Sequence, residues 1–329
     1  VHGKTDICTP NQTIILTEKA SKNLHYNFSP KYINKKPLPN PFLVNQQEKK
    51  YDFESDDNDK EFNTSLTIVD RKNTEWIVNG INIRECLKEY QLKNNLSKMC
   101  LEYYDIIFFN FTNEGFLKTL DENIITQMFS DISESEIEIT VENEVKLLLD
   151  SIIDRDIKNT KERLNQVKEE DTFLFENKFA LNFVRHMVTL MEDINLLIDP
   201  MSEGTYISSV LAPIFDQFFL KNKKQWHASY GETCLKVSAK DKNSQKEDSE
   251  RRSPGKKIDT IIKLREENEE FSVIEISELP MKNDWSHYKG DRLKIGKMLK
   301  TIMNHFAEMN PSSDITLIKL YGLQTYCMV

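Results

Sequence analysis

Apolar positions change their rhythm twice along this chain. Residues 1–60 carry few periodic apolar positions and are rich in Asn, Lys, Pro and Asp, and the run from Glu48 to Glu61 is mostly charged or polar. Such a segment buries too little apolar surface to offset the entropy of ordering it. It reads as a mobile polar tail with a short extended piece near Ile14–Leu16, and order is expected from about Leu66.

Residues 61–200 read as mainly helical with one short hairpin. From Glu75 to Ile83, two short apolar runs flank Asn79-Gly80, a dipeptide suited to a tight turn between strands. A helix through Leu87 and Tyr90 is expected next. The aromatic run Tyr103 to Phe111 fits a buried strand or a helix equally, because a short apolar run does not distinguish them. Val145, Leu148, Leu149, Ile152 and Ile153 then recur at helical spacing, and Leu181, Val184, Val188, Met191 and Ile194 form a second stripe. Lys161 to Asp171 reads as a charged, solvated stretch between them. Asp199-Pro200 marks the end of this region, since proline disfavours helix at the preceding residue.

Residues 201–329 have a different pattern. A helix carries Ile207, Val210, Leu211, Ile214, Phe215 and Phe218 on one face, followed by a strand at Cys234–Ala239 and a polar loop from Lys240 to Pro254. Ile258–Leu264 and Phe271–Ile276 are β-rich and joined by an acidic turn, which predicts a hairpin. A helix follows from Asp291 to Phe306, with Ile295, Met298, Leu299, Ile302 and Phe306 on one face, and Ile315–Leu320 supplies a last strand. The order is α-β-β-β-α-β, within a mixed α/β (α+β) class.

Two acids interrupt this apolar hairpin. Asp259 and Glu275 lie among Ile and Val, where an unpaired charge is costly. They either share a site or are separate acids flanking a turn-rich hairpin. The element order, with Asp259 in Gly255-Lys256-Lys257-Ile258-Asp259 and Glu275-Ile276-Ser277 sixteen residues after it, resembles the core of the PD-(D/E)XK nuclease superfamily. More closely, Ser202 to Leu323 is similar to a large group of uncharacterised fungal proteins through SEGTYISSVLAPIF, GKKID, VIEISE and GDRLKIGKMLK. The resemblance covers roughly the last 40% of the chain. It implies Mg²⁺-dependent (or Mn²⁺-dependent) hydrolysis of DNA phosphodiesters, with Asp259 and Glu275 as metal ligands and catalytic acids. Mg²⁺ takes hard oxygen ligands and activates water. Glu203, at the start of the first helix, is either an outer ligand or an acid favoured by the helix end.

Ser277 stands where the superfamily has its lysine, and a hydroxyl supplies no positive charge for the transition state. Some members carry that charge on the following helix, which here offers Arg292, Lys294 and Lys297. At about 100° per residue, Lys294 lies about 100° and Arg292 about 60° from Ile295, whereas Lys297 falls about 200° away, on the expected solvent side. Lys294 and Arg292 are therefore the candidate catalytic bases. The alternative function is a catalytically inactive nuclease-fold module that binds nucleic acid or protein.

Charge bears on the partner. The chain has a net charge of −9, yet residues 221–257 hold eleven Lys/Arg against five acids. A local basic groove for nucleic acid, DNA in the first instance, remains compatible with an acidic chain. Trp226 and Tyr230 are placed either to stack on bases or to pack at a sheet edge. Five widely spaced cysteines without a CxxC argue against a disulfide framework or zinc knuckle and for an intracellular setting, nuclear or cytoplasmic. His186, His227, His287 and His305 have no metal-ligand spacing. No run approaches the roughly 18 apolar residues of a membrane span, and no phosphate-binding or metalloprotease motif occurs.

Overall fold

A computed structural model describes residues 14–17, 75–109, 115–133, 143–153, 156–167, 175–192, 201–219, 225–244, 246–278, 285–313 and 318–326. Its centre in the C-terminal part is a four-stranded mixed sheet of β5 (Trp226–Cys234), β6 (Lys257–Leu264), β7 (Glu270–Glu278) and β8 (Tyr321–Tyr326), paired in that order. The first two pairings are antiparallel and β7–β8 is parallel. The inner strands β6 and β7 form the expected hairpin. Helix α9 (Trp285–Met309) crosses from β7 to β8 and packs Ile295, Met298, Leu299 and Ile302 on Ile258, Ile261 and Val273. It begins earlier than expected from the apolar stripe, at Trp285 rather than Asp291.

Both outer strands differ from their expected positions. Cys234–Ala239 is not a strand: β5 ends at Cys234, and α8 (Lys236–Asn243) follows. Leu235 and Val237 are buried in the sheet–helix core. The buried Glu270 carboxylate accepts the N–H groups of Lys236 and Val237, both at 3.0 Å, which satisfies free donors of the first helical turn. The polar loop therefore starts only after Asn243, and a helix enters the α-β-β-β-α-β order between its first two strands. The last strand is likewise Tyr321–Tyr326, and Ile318–Leu320 precede it without strand pairing; the rest of the expected Ile315–Leu320 strand lies outside the described residues. Gly322 explains part of this placement, because a Cβ there would come 2.4 Å from Ile295 Cγ2. Only a glycine lets β8 lie this close to α9.

The opposite side of the sheet is covered by α6 (Glu203–Tyr206), a π-helical turn at Ile207–Leu211 and α7 (Ala212–Phe219). Tyr206, Ile207, Val210 and Leu211 pack with Ile276 of β7. The side chain of Phe218 is outside the described residues. Before them, α3 (Asn143–Ile153), α4 (Ile157–Gln166) and α5 (Phe175–Met191) bury Val145, Leu148, Ile152, Leu181, Val184 and Val188. The charged stretch from Lys161 is therefore helical through Gln166. Asp156 caps α4 by accepting from Asn159 N–H at 3.0 Å, and Thr160 is fully buried with its hydroxyl on Ser151 Oγ at 2.8 Å. Ile194 and Asp199-Pro200 lie outside the described residues.

The N-terminal part holds the expected hairpin, β2 (Ile77–Val78) and β3 (Ile81–Asn82), with Asn79 and Gly80 at φ 50° and 79°. The two positive values suit Asn and Gly. Helix α1 (Ile83–Asn94) follows, capped by the Asn82 side chain on the N–H groups of Arg84 and Glu85. The ambiguous aromatic run resolves into a 3₁₀ turn, Leu101–Tyr104, and a buried strand, β4 (Ile106–Phe109). Ile14–Thr17 forms β1, paired in parallel with β4, so this piece of the expected mobile tail is part of a sheet. The remainder of that tail, and the expected onset of order near Leu66, lie outside the described residues. Helix α2 (Glu122–Ser133) completes a core with Val78, Leu87, Ile107, Phe109, Phe116 and Met128. Among the described residues, no helix is long and apolar enough to cross a membrane.

Candidate active site at the end of the sheet

The hairpin register brings the two acids together. Thr260 pairs with Ile274, so Asp259 and Glu275 are the next facing positions, just past the end of the paired ladder. There the ladder gives way to a side chain: Asp259 Oδ2 accepts the Ile276 N–H at 2.8 Å. Asp259 and Glu275 are 8% and 2% exposed, the burial at which a carboxylate needs partners.

Asp259 has a second partner in Glu203, which Ser202 positions by capping α6 through the Thr205 N–H at 3.1 Å. The Glu203 residue keeps solvent access, but its carboxyl is hydrogen-bonded to Asp259 and its pKa is pushed up to about 7. Burial of the carboxyl is the main cause, followed by the charge and hydrogen bond of Asp259 and the charge of Glu232, while Lys294 opposes the shift. A hydrogen bond between two carboxyls requires one proton between them.

Glu275 is paired from α9. Lys294 Nζ lies 2.8 Å from its Oε1 and donates to Oε2 at 2.9 Å, although Oε1 itself has no hydrogen bond. Burial pushes the Glu275 pKa up to about 8 against the opposing charge of Lys294, with Asp259 and Asp291 adding in the same direction. Lys294 thus reaches the strands from the edge of the α9 apolar face, with its ammonium directed at Glu275.

The other helix cations are elsewhere. The Arg292 guanidinium lies over the rings of Phe108 and Tyr288, 4.6 and 4.4 Å from their centroids, and donates to the Tyr288 hydroxyl. These contacts join α9 to β4 and do not bring Arg292 to Glu275. Lys297 is not on a solvent face: it is 8% exposed, its ammonium 4.5 Å from the centre of the Tyr104 ring. An angle measured from the sheet leaves out the second neighbour of α9, the Leu101–Tyr104 turn.

Asp291, Gln324 and Glu232 stand at or beside the site although the sequence pattern does not single them out. Asp291 of α9 is hydrogen-bonded to Ser277, and its pKa is raised mainly by burial, with Lys294, the Ser277 bond and His287 opposing and Asp259 adding. Ser277, 3% exposed, accepts from Gln324 Nε2, which also donates to Tyr288 O at 2.7 Å. Glu232 of β5, paired with Lys257, lies at the rim, where that hydrogen bond lowers its pKa. The sequence did hold a signal for Asp291, three residues before Lys294 and so on the same helix face. Gln324 had none, because its position depends on the β8 register.

The basic segment is partly occupied by internal partners. Lys257 pairs with Glu232, Arg252 with Asp248 at 2.9 Å, and Lys246 with Ser253 Oγ at 2.5 Å. Trp226 packs on Phe271 at 5.5 Å between ring centroids, and the Tyr230 hydroxyl donates to Asp216 at 2.8 Å, so both serve edge packing. His186 contacts Val210 O at 3.0 Å and His305 contacts Glu269 at 3.3 Å. Cys86, Cys100 and Cys234 are free thiols.

Glu203 and Glu275 each feel the charge of Asp259, and both hold their protons more tightly than a free carboxyl does. Among the described residues, however, no three His, Cys, Asp or Glu side chains already stand in an arrangement that could hold a metal ion. Comparison with protein families, with curated proteins and with solved structures finds no match for this chain.

Proposed function

We propose that this end of the sheet is a PD-(D/E)XK-type site for Mg²⁺-dependent hydrolysis of DNA phosphodiesters, with Lys294 supplying the charge that Ser277 lacks. The observation that carries the reading is the double approach of Lys294 to Glu275, from the helix after the hairpin, beside Asp259. Asp259, Glu275 and Glu203 would hold Mg²⁺ or Mn²⁺, which when bound makes water a better nucleophile and polarises the phosphate. Lys294 meets Glu275, whereas Arg292 lies over the Phe108 and Tyr288 rings and Lys297 over the Tyr104 ring. The Lys294 ammonium is held where it can stabilise the negative charge that grows on phosphate oxygens as water adds. Asp259, fixed by the Ile276 N–H, keeps one carboxylate oxygen in a defined direction.

A second reading is favoured by the closed ion pair itself. Glu275 is already met by Lys294, as in a nuclease-fold module that binds nucleic acid or protein without cutting. Supercoiled plasmid incubated with the full chain in Mg²⁺ or Mn²⁺ separates the two. Cleavage that disappears in chelator and in Asp259→Ala is the expected result. A wild-type chain that does not cut in either metal, or an Asp259→Ala chain that cuts equally well, would refute the hydrolase.

A further inference from the structure

Strand β5 carries one residue more than its partner where it passes Asp259. Tyr230 pairs with Thr260 and Thr233 with Ile258, so Gly231 and Glu232 together stand opposite Asp259. Gly231 has φ 83°, a left-handed value that glycine adopts without strain and that marks a bulge. Past the bulge, the Glu232 carboxylate meets Lys257 Nζ at 2.5 Å, with the two side chains 65% and 63% exposed. Lys257 stands two residues before Asp259 on β6, the spacing that sets side chains on one face of a strand about 6–7 Å apart. The backbone just before it is pinned: Lys256 N–H donates to Ser238 Oγ at 2.7 Å, and Lys256 O accepts from Leu235 N–H at 2.8 Å. An ammonium on a fixed stretch of chain thus stands at the rim of the acid site.

We infer that Lys257 is a binding residue for the nucleic-acid backbone, holding a phosphate beside the one to be cut, and that Glu232 competes with that phosphate for it. The inference rests on the reading of this sheet end as a phosphodiester site. Asp259 and Glu275 lie buried at its floor and repel an approaching polyanion. Lys294 is engaged with Glu275, and a strand of phosphates needs a cation at the rim as well. An exposed ion pair holds its ammonium weakly, because water and salt screen it. A phosphate oxygen makes a charge-assisted contact of the same kind and, on binding, releases counterions from the nucleic acid. Lys257 therefore exchanges one anionic partner for another, while Glu232 passes to water at little cost. In the free chain, the bulge supplies this lysine with a carboxylate other than those of the site.

Fluorescence anisotropy of a short labelled DNA duplex, titrated with the full chain in chelator at low salt, tests this without metal or cleavage. Lys257→Gln should weaken binding about fivefold or more and reduce the slope of log affinity against log salt by about 1, the change for one lost phosphate contact. Lys257→Arg, which keeps the charge, should bind as wild type. Glu232→Gln should tighten binding about threefold, because it removes the competing carboxylate from a weak surface pair. Lys93 and Glu89 form another exposed pair, on α1 at 3.3 Å, and Lys93→Gln is the control for net charge. A Glu232→Gln chain that binds no better than wild type would overturn the inference. So would a Lys257→Gln chain that binds no worse than Lys93→Gln, or a wild type that does not bind the duplex. The expected binding pattern without cleavage in Mg²⁺ or Mn²⁺ would support the inference and refute the hydrolase, so the two failures are distinct results.

Discussion

Two faces of one helix hold lysines for opposite ends. On the sheet side of α9, Lys294 is 31% exposed and contacts a carboxylate that is itself 3% exposed. On the other side, Lys297 lies on the Tyr104 ring, and Lys300 donates to Tyr104 O at 2.5 Å and Asp105 Oδ2 at 3.2 Å. Leu293 joins Leu101 and Ile106 in the same contact. The first face leaves an ammonium partly open beside clustered acids, whose mutual repulsion has no internal remedy except a proton or a cation. The second face is closed: each cation has an aromatic ring, a carbonyl or a carboxylate, and the contact joins the N-terminal part to the sheet domain. Openness beside unresolved charge, more than burial or charge alone, separates a candidate reactive lysine from a structural one.

The largest effect expected from this contrast is kinetic. Lys294→Met should lower the single-turnover rate of metal-dependent cleavage by about 10²-fold or more, the scale of losing one electrostatic stabiliser. Lys297→Met should leave that rate within about threefold, because the cation–π contact it loses is worth only about 1 kcal/mol and stands away from the acids. Equal rate losses from both would erase the distinction between the faces.

Stability should respond in the opposite sense. Asp105→Asn removes the carboxylate partner of Lys300, whose pKa is lowered mainly by burial against the opposing effect of Asp105. Asp105 is 41% exposed, so a loss of about 1–2 kcal/mol in urea unfolding is expected rather than the cost of a fully buried pair. Lys297→Met should cost about 1 kcal/mol in the same measurement. No change in either variant would mean that the N-terminal contact does not restrain α9.

A third effect is a pH dependence arising on the open face. Glu203 and Glu275 have folded pKa values raised from 4.5 to about 7 and about 8. The folded chain therefore keeps protons that the unfolded chain releases above about pH 4.5. Their stabilising contribution is full below that value and is lost as pH rises through 7 and 8. Thermal melting of the metal-free chain should fall from pH 5 to pH 8, and the slope should flatten in Glu203→Gln. A wild-type slope identical to that of Glu203→Gln would show that Glu203 does not retain its proton.

The same contrast explains what the sequence disclosed. β6 and β7, buried between helices on both faces, have near-continuous apolar runs, so the hairpin and the two acids within it were legible. β5 and β8 are the edge strands, each with one neighbour, and Trp226–Cys234 and Tyr321–Tyr326 carry His, Ser, Glu, Gly and Gln among their apolar positions. Their apolar neighbours, Leu235–Val237 and Ile315–Leu320, drew the expectation away from them. Lys294 was found because a helical angle measured from the sheet applies to a residue facing the sheet. The same angle failed for Lys297, since it contained no information on the turn at Leu101–Tyr104, nearly 200 residues earlier. The Ser277–Asp291–Gln324 network was illegible for a related reason: it needs the register of an edge strand.

The proposed hydrolysis requires the acids on the open face to take up a divalent cation. Calorimetric titration of the metal-free full chain with Mn²⁺ at pH 8, where Glu203 has released its proton, tests it most directly. One saturable site is expected in the wild type, lost in Asp259→Ala and retained in Lys294→Met. Absence of binding in the wild type, or an unchanged isotherm in Asp259→Ala, would contradict it.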